Sequence, residues 1–154
     1  MRGVQQFSGL AHQFELVREV QGVRYVDDSK ATNVGATLAA LTGLPRHNNI
    51  VLIAGGDSKG VDLSPLAEAL MDRVCFVVTL GRDGPNVAAV AEQAGISSEQ
   101  VADMSAAITL ARQHAPKPGW VLLSPACASL DMYANFMARG QAFQQAVIGE
   151  VSDG

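Results

Sequence analysis

Four short apolar runs, three of which hardly alternate between polar and apolar residues, constrain this chain more than any other feature. They are Val23-Arg24-Tyr25-Val26, Asn49-Ile50-Val51-Leu52-Ile53-Ala54, Val74-Cys75-Phe76-Val77-Val78-Thr79-Leu80 and Trp120-Val121-Leu122-Leu123. A strand with one wet face alternates; a strand buried on both faces does not. The last three therefore read as strands of a sheet covered by helices on each side.

Ala-rich segments with helical spacing separate these runs. Asn33 to Leu44 puts Val34, Leu38, Leu41 and Leu44 on one stripe. Ser64-Pro65 opens the next segment, with Ser64 as the expected N-cap and Pro65 at the first helical position. Asn86 to Ala94 stops at Gly95, and Ser105 to Ala115 stops before Pro116. A last helix is expected from Leu130 to Ile148, with Gly140 as its weak point. Alternating strands and helices make the expected class α/β, a Rossmann-like and mainly parallel sheet with helices on both faces.

At 154 residues the chain suits one domain, expected over 9–148 between a flexible leader (1–8) and a flexible tail (149–154). Hydrophobic residues at 48% against 17% charged residues argue against disorder. The net charge is −4 and no basic run stands out, so nucleic acid is not an expected partner. The longest apolar stretches fall far short of the ~20 residues of a membrane span. The N-terminus lacks the apolar core of a signal peptide. Cys75 and Cys127 lie inside apolar runs and read as buried thiols of a reducing compartment. A cytoplasmic monomer without a metal site is the expectation.

Ligands of open α/β sheets bind beyond the carboxyl ends of the strands. The segments that follow the four runs are Asp27-Asp28-Ser29-Lys30-Ala31-Thr32-Asn33, Gly55-Gly56-Asp57-Ser58-Lys59-Gly60, Gly81-Arg82-Asp83-Gly84 and Ser124-Pro125-Ala126-Cys127-Ala128-Ser129. Glycines, hydroxyls, helix N-termini and the cations Lys30 and Lys59 suit a small carboxylate or phosphate. Plainer readings stand beside this one. Gly55-Gly56-Asp57 is equally a simple turn, and Asp28 or Ser29 equally a helix cap. Cys127 has no evident histidine partner and reads as structural. His12, His47 and His114 lack ligand-like spacing and read as surface residues; Phe136 and Phe143 read as core. No Gly-x-x-x-x-Gly-Lys-Ser/Thr loop occurs, so a triphosphate would have to be held elsewhere.

Three of these segments, with Leu130-Asp131, Asn135-Phe136 and Arg139-Gly140, closely resemble the C-terminal domain of the UDP-N-acetylmuramoyl-L-alanine:D-glutamate ligases, a branch of the Mur ligases. The resemblance runs from about Gly9 to Val147. Asp-Ser-Lys-Ala-Thr-Asn distinguishes this branch from sister ligases and folylpolyglutamate synthases. The family leader reads His-Arg before Phe-Glu, whereas here it is His12-Gln13-Phe14-Glu15, so the arginine's ATP contact is not carried onto Gln13.

The resemblance implies a domain that brings D-glutamate to a UDP-N-acetylmuramoyl-L-alanine acyl phosphate in peptidoglycan precursor synthesis. ATP and Mg2+ are then held by a central P-loop domain and the UDP-sugar by an N-terminal one. By matching position, Thr32, Lys59, Ser129, Leu130 and Phe136 contact D-glutamate, Lys30 shares their pocket, and Asp28 reaches the ATP ribose. No catalytic acid, base or metal ligand is implied, only positioning. The chain alone is expected to be inactive. The alternatives are a stand-alone anion-binding or partner-docking module, and the same domain of a sister ligase or folylpolyglutamate synthase.

Overall fold

A computed structural model describes residues 9–129 and 131–151. In chain order the elements are β1 (Glu15–Val20), β2 (Val23–Asp27), α1 (Val34–Thr42), β3 (Ile50–Gly55), α2 (Leu66–Leu70), β4 (Val74–Leu80), α3 (Gly84–Gln93), β5 (Ser98–Gln100), α4 (Met104–His114), β6 (Gly119–Leu123) and α5 (Phe136–Glu150). Among the described residues the strands make one sheet in the order β1-β2-β6-β3-β4-β5. β1 is antiparallel to β2, and every other pairing is parallel.

The buried runs owe their lack of alternation to two cores. Leu52, Val77 and Leu122 point to the face covered by Leu41 of α1, Leu66 of α2 and Val90 of α3. Val51, Ile53, Val78, Val121 and Leu123 point to the other face, against Ile108 of α4 and Phe143 and Val147 of α5. Each fully buried Val, Leu or Ile side chain is worth about 1.5–3 kcal/mol, so a polar residue is disfavoured on either face of β3.

Two strands depart from the sequence expectation. β1 is an edge strand whose charged residues hide its pattern; it turns into β2 through Gln21 and Gly22, both at positive φ (54° and 82°), as a two-residue hairpin of this hand requires. β5 is three polar residues on the opposite edge.

The helix boundaries also move. α2 begins at Leu66 after Pro65, and Ser64 does not cap it: its hydroxyl bonds Asp62 instead. α5 begins at Phe136 rather than Leu130, because the Asn135 side chain accepts from Ala138 N at 2.8 Å and caps the helix there. That helix continues through Glu150, and Val151 is buried with its carbonyl held by Arg18 at 2.8 Å. Residues 149 and 150 are thus helical and Val151 is packed. The leader 1–8 and residues 152–154 lie outside the described residues.

The return of the chain through α4 inserts β6 between β2 and β3. The segments after β2, β6 and β3 therefore become neighbours at one edge of the sheet.

Candidate functional site

Backbone hydrogen bonds knit the three segments together. Asp28 N donates to Leu123 O (2.8 Å), Ala126 N to Ala31 O (3.0 Å) and Gly55 N to Pro125 O (3.1 Å). Asp57 and Ala128 exchange a pair of bonds at 2.9 Å each. Gly55 and Gly56 run at φ 135° and 129°, and a Cβ on them would strike Leu80 O and Ala128 O. These glycines let the second segment pass between its neighbours, which favours a packed turn over a phosphate cradle.

Lys30 and Thr32 stand on the first segment, Lys59 on the second and Ser129 on the third. Lys30 and Lys59 are exposed, Thr32 and Phe136 partly buried and Ser129 buried. Lys59 sits at φ 55° with its N–H on Asp57 Oδ1 at 2.9 Å. Asp83, after β4, accepts from Ser58 N at 2.6 Å, and this hydrogen bond holds its carboxyl below the usual carboxylate range. The Ser129 carbonyl accepts from Met132 N and Tyr133 N. Leu130 lies outside the described residues.

Asp28 does not cap the following helix; Asn33 does, accepting from Ala36 N at 2.9 Å. Asp28 is buried, with Oδ1 taking Phe14 N at 3.0 Å and Oδ2 taking the Ser124 hydroxyl at 2.9 Å. Burial pushes its carboxyl up to about 6. Both Asp28 oxygens thus hold other parts of the chain, each with one donor.

Two side chains absent from the expected site are central to this edge. Arg139 of α5 is 3% exposed and donates to Ser29 O (3.2 Å) and Gly55 O (3.4 Å), tying the first and second segments from below. Burial lowers its pKa to about 10. The other is His12, which is not a free surface histidine. Its side chain is 12% exposed, and its Nδ1 lies 2.7 Å from Asp27 Oδ2. The Phe136 ring meets its edge at 6.3 Å and 80°, and Phe136, half-buried, belongs to neither core cluster. The sequence signals for them were Arg139-Gly140 and the leader His12-Gln13-Phe14-Glu15, with Asp27 at the head of the first segment; none of them pairs His12 with Asp27.

Among the described residues, the buried polar side-chain atoms without a partner are Ser29 Oγ, Asp131 Oδ1 and Arg139 Nε. All three sit at this edge, where a polar ligand could satisfy them. Cys127 is fully buried, and burial pushes its thiol up to about 12, so it is not a nucleophile. His47 is exposed and His114 stacks on Phe76 at 3.7 Å, away from this edge. No helix among the described residues is long and apolar enough to cross a membrane.

The sequence profile described as "Mur ligase, glutamate ligase domain" matches residues 12–127. The UDP-N-acetylmuramoylalanine--D-glutamate ligase of Shewanella oneidensis is 56% identical over 142 residues, which are 92% of this chain and 31% of that protein. The enzyme of the same name from Nitrosococcus oceani is 50% identical over 147 residues, 96% of this chain and 32% of that protein. The chain thus spans about a third of the length of the curated relatives it matches. Among solved structures, the UDP-N-acetylmuramate-alanine ligase of Thermotoga maritima matches with a TM-score of 0.62 at 14% identity, over 94% of this chain and 31% of that one. The folylpolyglutamate synthase of Thermotoga maritima matches with a TM-score of 0.60 at 14% identity, over 92% and 32%. At such identities these two structures speak for the fold alone.

Proposed function

This chain belongs to the Mur ligase glutamate ligase domain family, and from that premise we propose that it delivers D-glutamate to an activated carboxyl group in an ATP-dependent ligase. The reaction is the joining of D-glutamate to UDP-N-acetylmuramoyl-L-alanine in peptidoglycan precursor synthesis, in the cytoplasm. The observation that carries this reading is the juxtaposition of the three segments after β2, β6 and β3, which puts Lys30, Thr32, Lys59 and Ser129 on adjacent loops. The 42–56% identity to relatives named for D-glutamate narrows the amino acid.

A dicarboxylate needs cations and N–H donors, and this edge has both. Lys30 and Lys59 supply charge, Thr32 and Ser129 supply hydroxyls, and Phe136 supplies an apolar wall. Holding the amino acid there places its amine for attack on an acyl phosphate, turning an encounter into a near-unimolecular step.

The residues of this chain do not fit a nucleoside triphosphate with Mg2+. Gly55 and Gly56 are packed against Leu80 and Ala128 and leave no open phosphate cradle, and no Gly-x-x-x-x-Gly-Lys-Ser/Thr loop occurs. ATP, Mg2+ and the UDP-sugar belong in this reading to the N-terminal and central domains of the whole enzyme. The chain by itself is expected to be a monomer without turnover.

An amide NMR titration with D-glutamate, and with L-glutamate as control, tests the assignment. Shifts confined to Thr32, Lys59, Ser129 and Phe136, and larger for the D isomer, are expected. Equal shifts for both isomers would turn the reading toward a general anion-binding module. Restored ligation on mixing with the first two domains of a relative tests the delivery role directly.

A further inference from the structure

We propose that His12, oriented by Asp27, accepts the proton that the attacking amine must lose. The proposal rests on the ligase reading above and names a residue that positional carry-over did not assign.

Four observations single out this pair. Asp27 is fully buried, and both of its oxygens are engaged by donors: Ser29 N on Oδ1 at 2.9 Å, with His12 Nδ1 at 2.7 Å and Gln144 Nε2 at 2.8 Å on Oδ2. The backbone at His12 lies in the left-handed region (φ 63°), as does Phe14 (φ 46°), a costly conformation that collects at working sites. Gly140 of α5 leaves the room for the pair. A Cβ there would collide with His12 Nδ1 and Ser29 Oγ and come within 2.7 Å of Asp27 Oδ2. Finally, His12 is bonded into the proposed substrate loop, since its carbonyl accepts from Lys30 N at 3.0 Å, and its ring meets Phe136.

The chemistry follows from the tautomer. A carboxylate on Nδ1 keeps the proton of the neutral ring on that nitrogen, so Nε2 carries a lone pair. An amino acid arrives as an ammonium, which has no lone pair to attack with. Transfer of one N–H proton to Nε2 frees the nitrogen pair. That pair forms the C–N bond, the C–O bond to phosphate breaks, and phosphate leaves with those electrons. A second nitrogen proton leaves with the phosphate, and the imidazolium, stabilised by Asp27, returns its proton to water.

A metal ion is the competing use of His12, Glu15 and Asp27, whose ligand atoms lie within 4.8 Å of one another. The donors argue against it. Gln144 Nε2 points N–H groups at both Glu15 Oε1 (3.0 Å) and Asp27 Oδ2, and His12 N donates to Glu15 Oε1 at 3.0 Å. These oxygens are already satisfied by hydrogen. The charged residues in contact with His12 are Asp27 of β2 and Glu15 of β1, with Lys30 joined through its backbone N–H; Asp28 holds Phe14 N two residues on, and Arg139 of α5 holds Ser29 O.

The test replaces the matching third of the Shewanella oneidensis relative with this chain and follows kcat against pH. His12→Asn keeps an N–H for Asp27 and tolerates positive φ, but lacks the Nε2 position. It is expected to lower kcat by about 10²–10³-fold, with KM for the amino acid within about threefold, and to abolish the acid limb of the profile. A profile and kcat matching wild type would overturn the proposal. If the wild-type hybrid uses another amine than D-glutamate, the substrate reading fails, and the same profiles taken with that amine still decide the role of His12. Imidazole nitrogen NMR on the chain itself needs no turnover. A neutral His12 protonated on Nδ1, whose Nε2 signal moves with added amino acid, supports the proposal; a proton on Nε2 overturns it.

Discussion

Ser124 donates its hydroxyl to Asp28 across 2.9 Å, joining the carboxyl end of β6 to that of β2. The same carboxyl holds Phe14 N, so one buried acid fastens three parts of the chain at the rim of the proposed site.

Burial raises the Asp28 pKa from 3.8 to about 6. Between those values the folded protein keeps a proton that the unfolded chain has released. Its favourable contribution is therefore complete below about pH 4 and is lost as pH rises through about 6. Asp28→Asn removes this titration. Urea unfolding across pH 4 to 7 should show the variant gaining on wild type by up to about 3 kcal/mol. A stability difference that stays flat with pH would refute the assignment.

Gly140→Ala and Gly149→Ala are the same substitution in one helix with opposite expected signs. At Gly149 a Cβ meets nothing within 4 Å, and the variant should gain about 0.5–1 kcal/mol. At Gly140 it meets the His12–Asp27–Ser29 cluster, and the variant should lose about 1–3 kcal/mol. Thermal midpoints compare the two, and a stabilised Gly140→Ala would mean that the cluster yields freely.

Lys59 is exposed and supports no packing, so Lys59→Ala should leave the thermal midpoint unchanged. Loss of a charge-assisted contact worth about 1.5–3 kcal/mol should weaken D-glutamate about 10–100-fold in the NMR titration. An unchanged affinity would remove Lys59 from the site.

Cys127, fully buried and with its thiol pushed up to about 12, should resist iodoacetamide at pH 8 until urea unfolds the protein. Mass spectrometry after brief labelling reads this. Rapid modification of the native thiol would revive it as a nucleophile.

The central parallel strands β6, β3 and β4 are legible because their residues are apolar on nearly every face they meet; β3 is buried from Ile50 to Gly55. β1 is not, since Glu15, Arg18 and Glu19 occupy an edge where one side is wet. β5 is Ser98-Glu99-Gln100, a sequence that pairs only because β4 offers it an edge. α5 starts six residues further on than apolar spacing suggests, because Asn135 bonds the helix backbone through its side chain and caps it there.

At the site the division is the same. Local chemistry made the segments after the strands recognisable, because glycines, lysines and hydroxyls next to a strand end have few other uses together. The sequence by itself thus determined the α/β class and the loops at which a ligand would be sought. Only the tertiary structure decided that β6 lies between β2 and β3, that Arg139 ties two loops from beneath, and that Gly140 admits His12 to Asp27. Those contacts join residues far apart in the chain. Backbone propensity and apolar period act over a few residues, whereas a shared buried space is defined only once the whole sheet has closed around it.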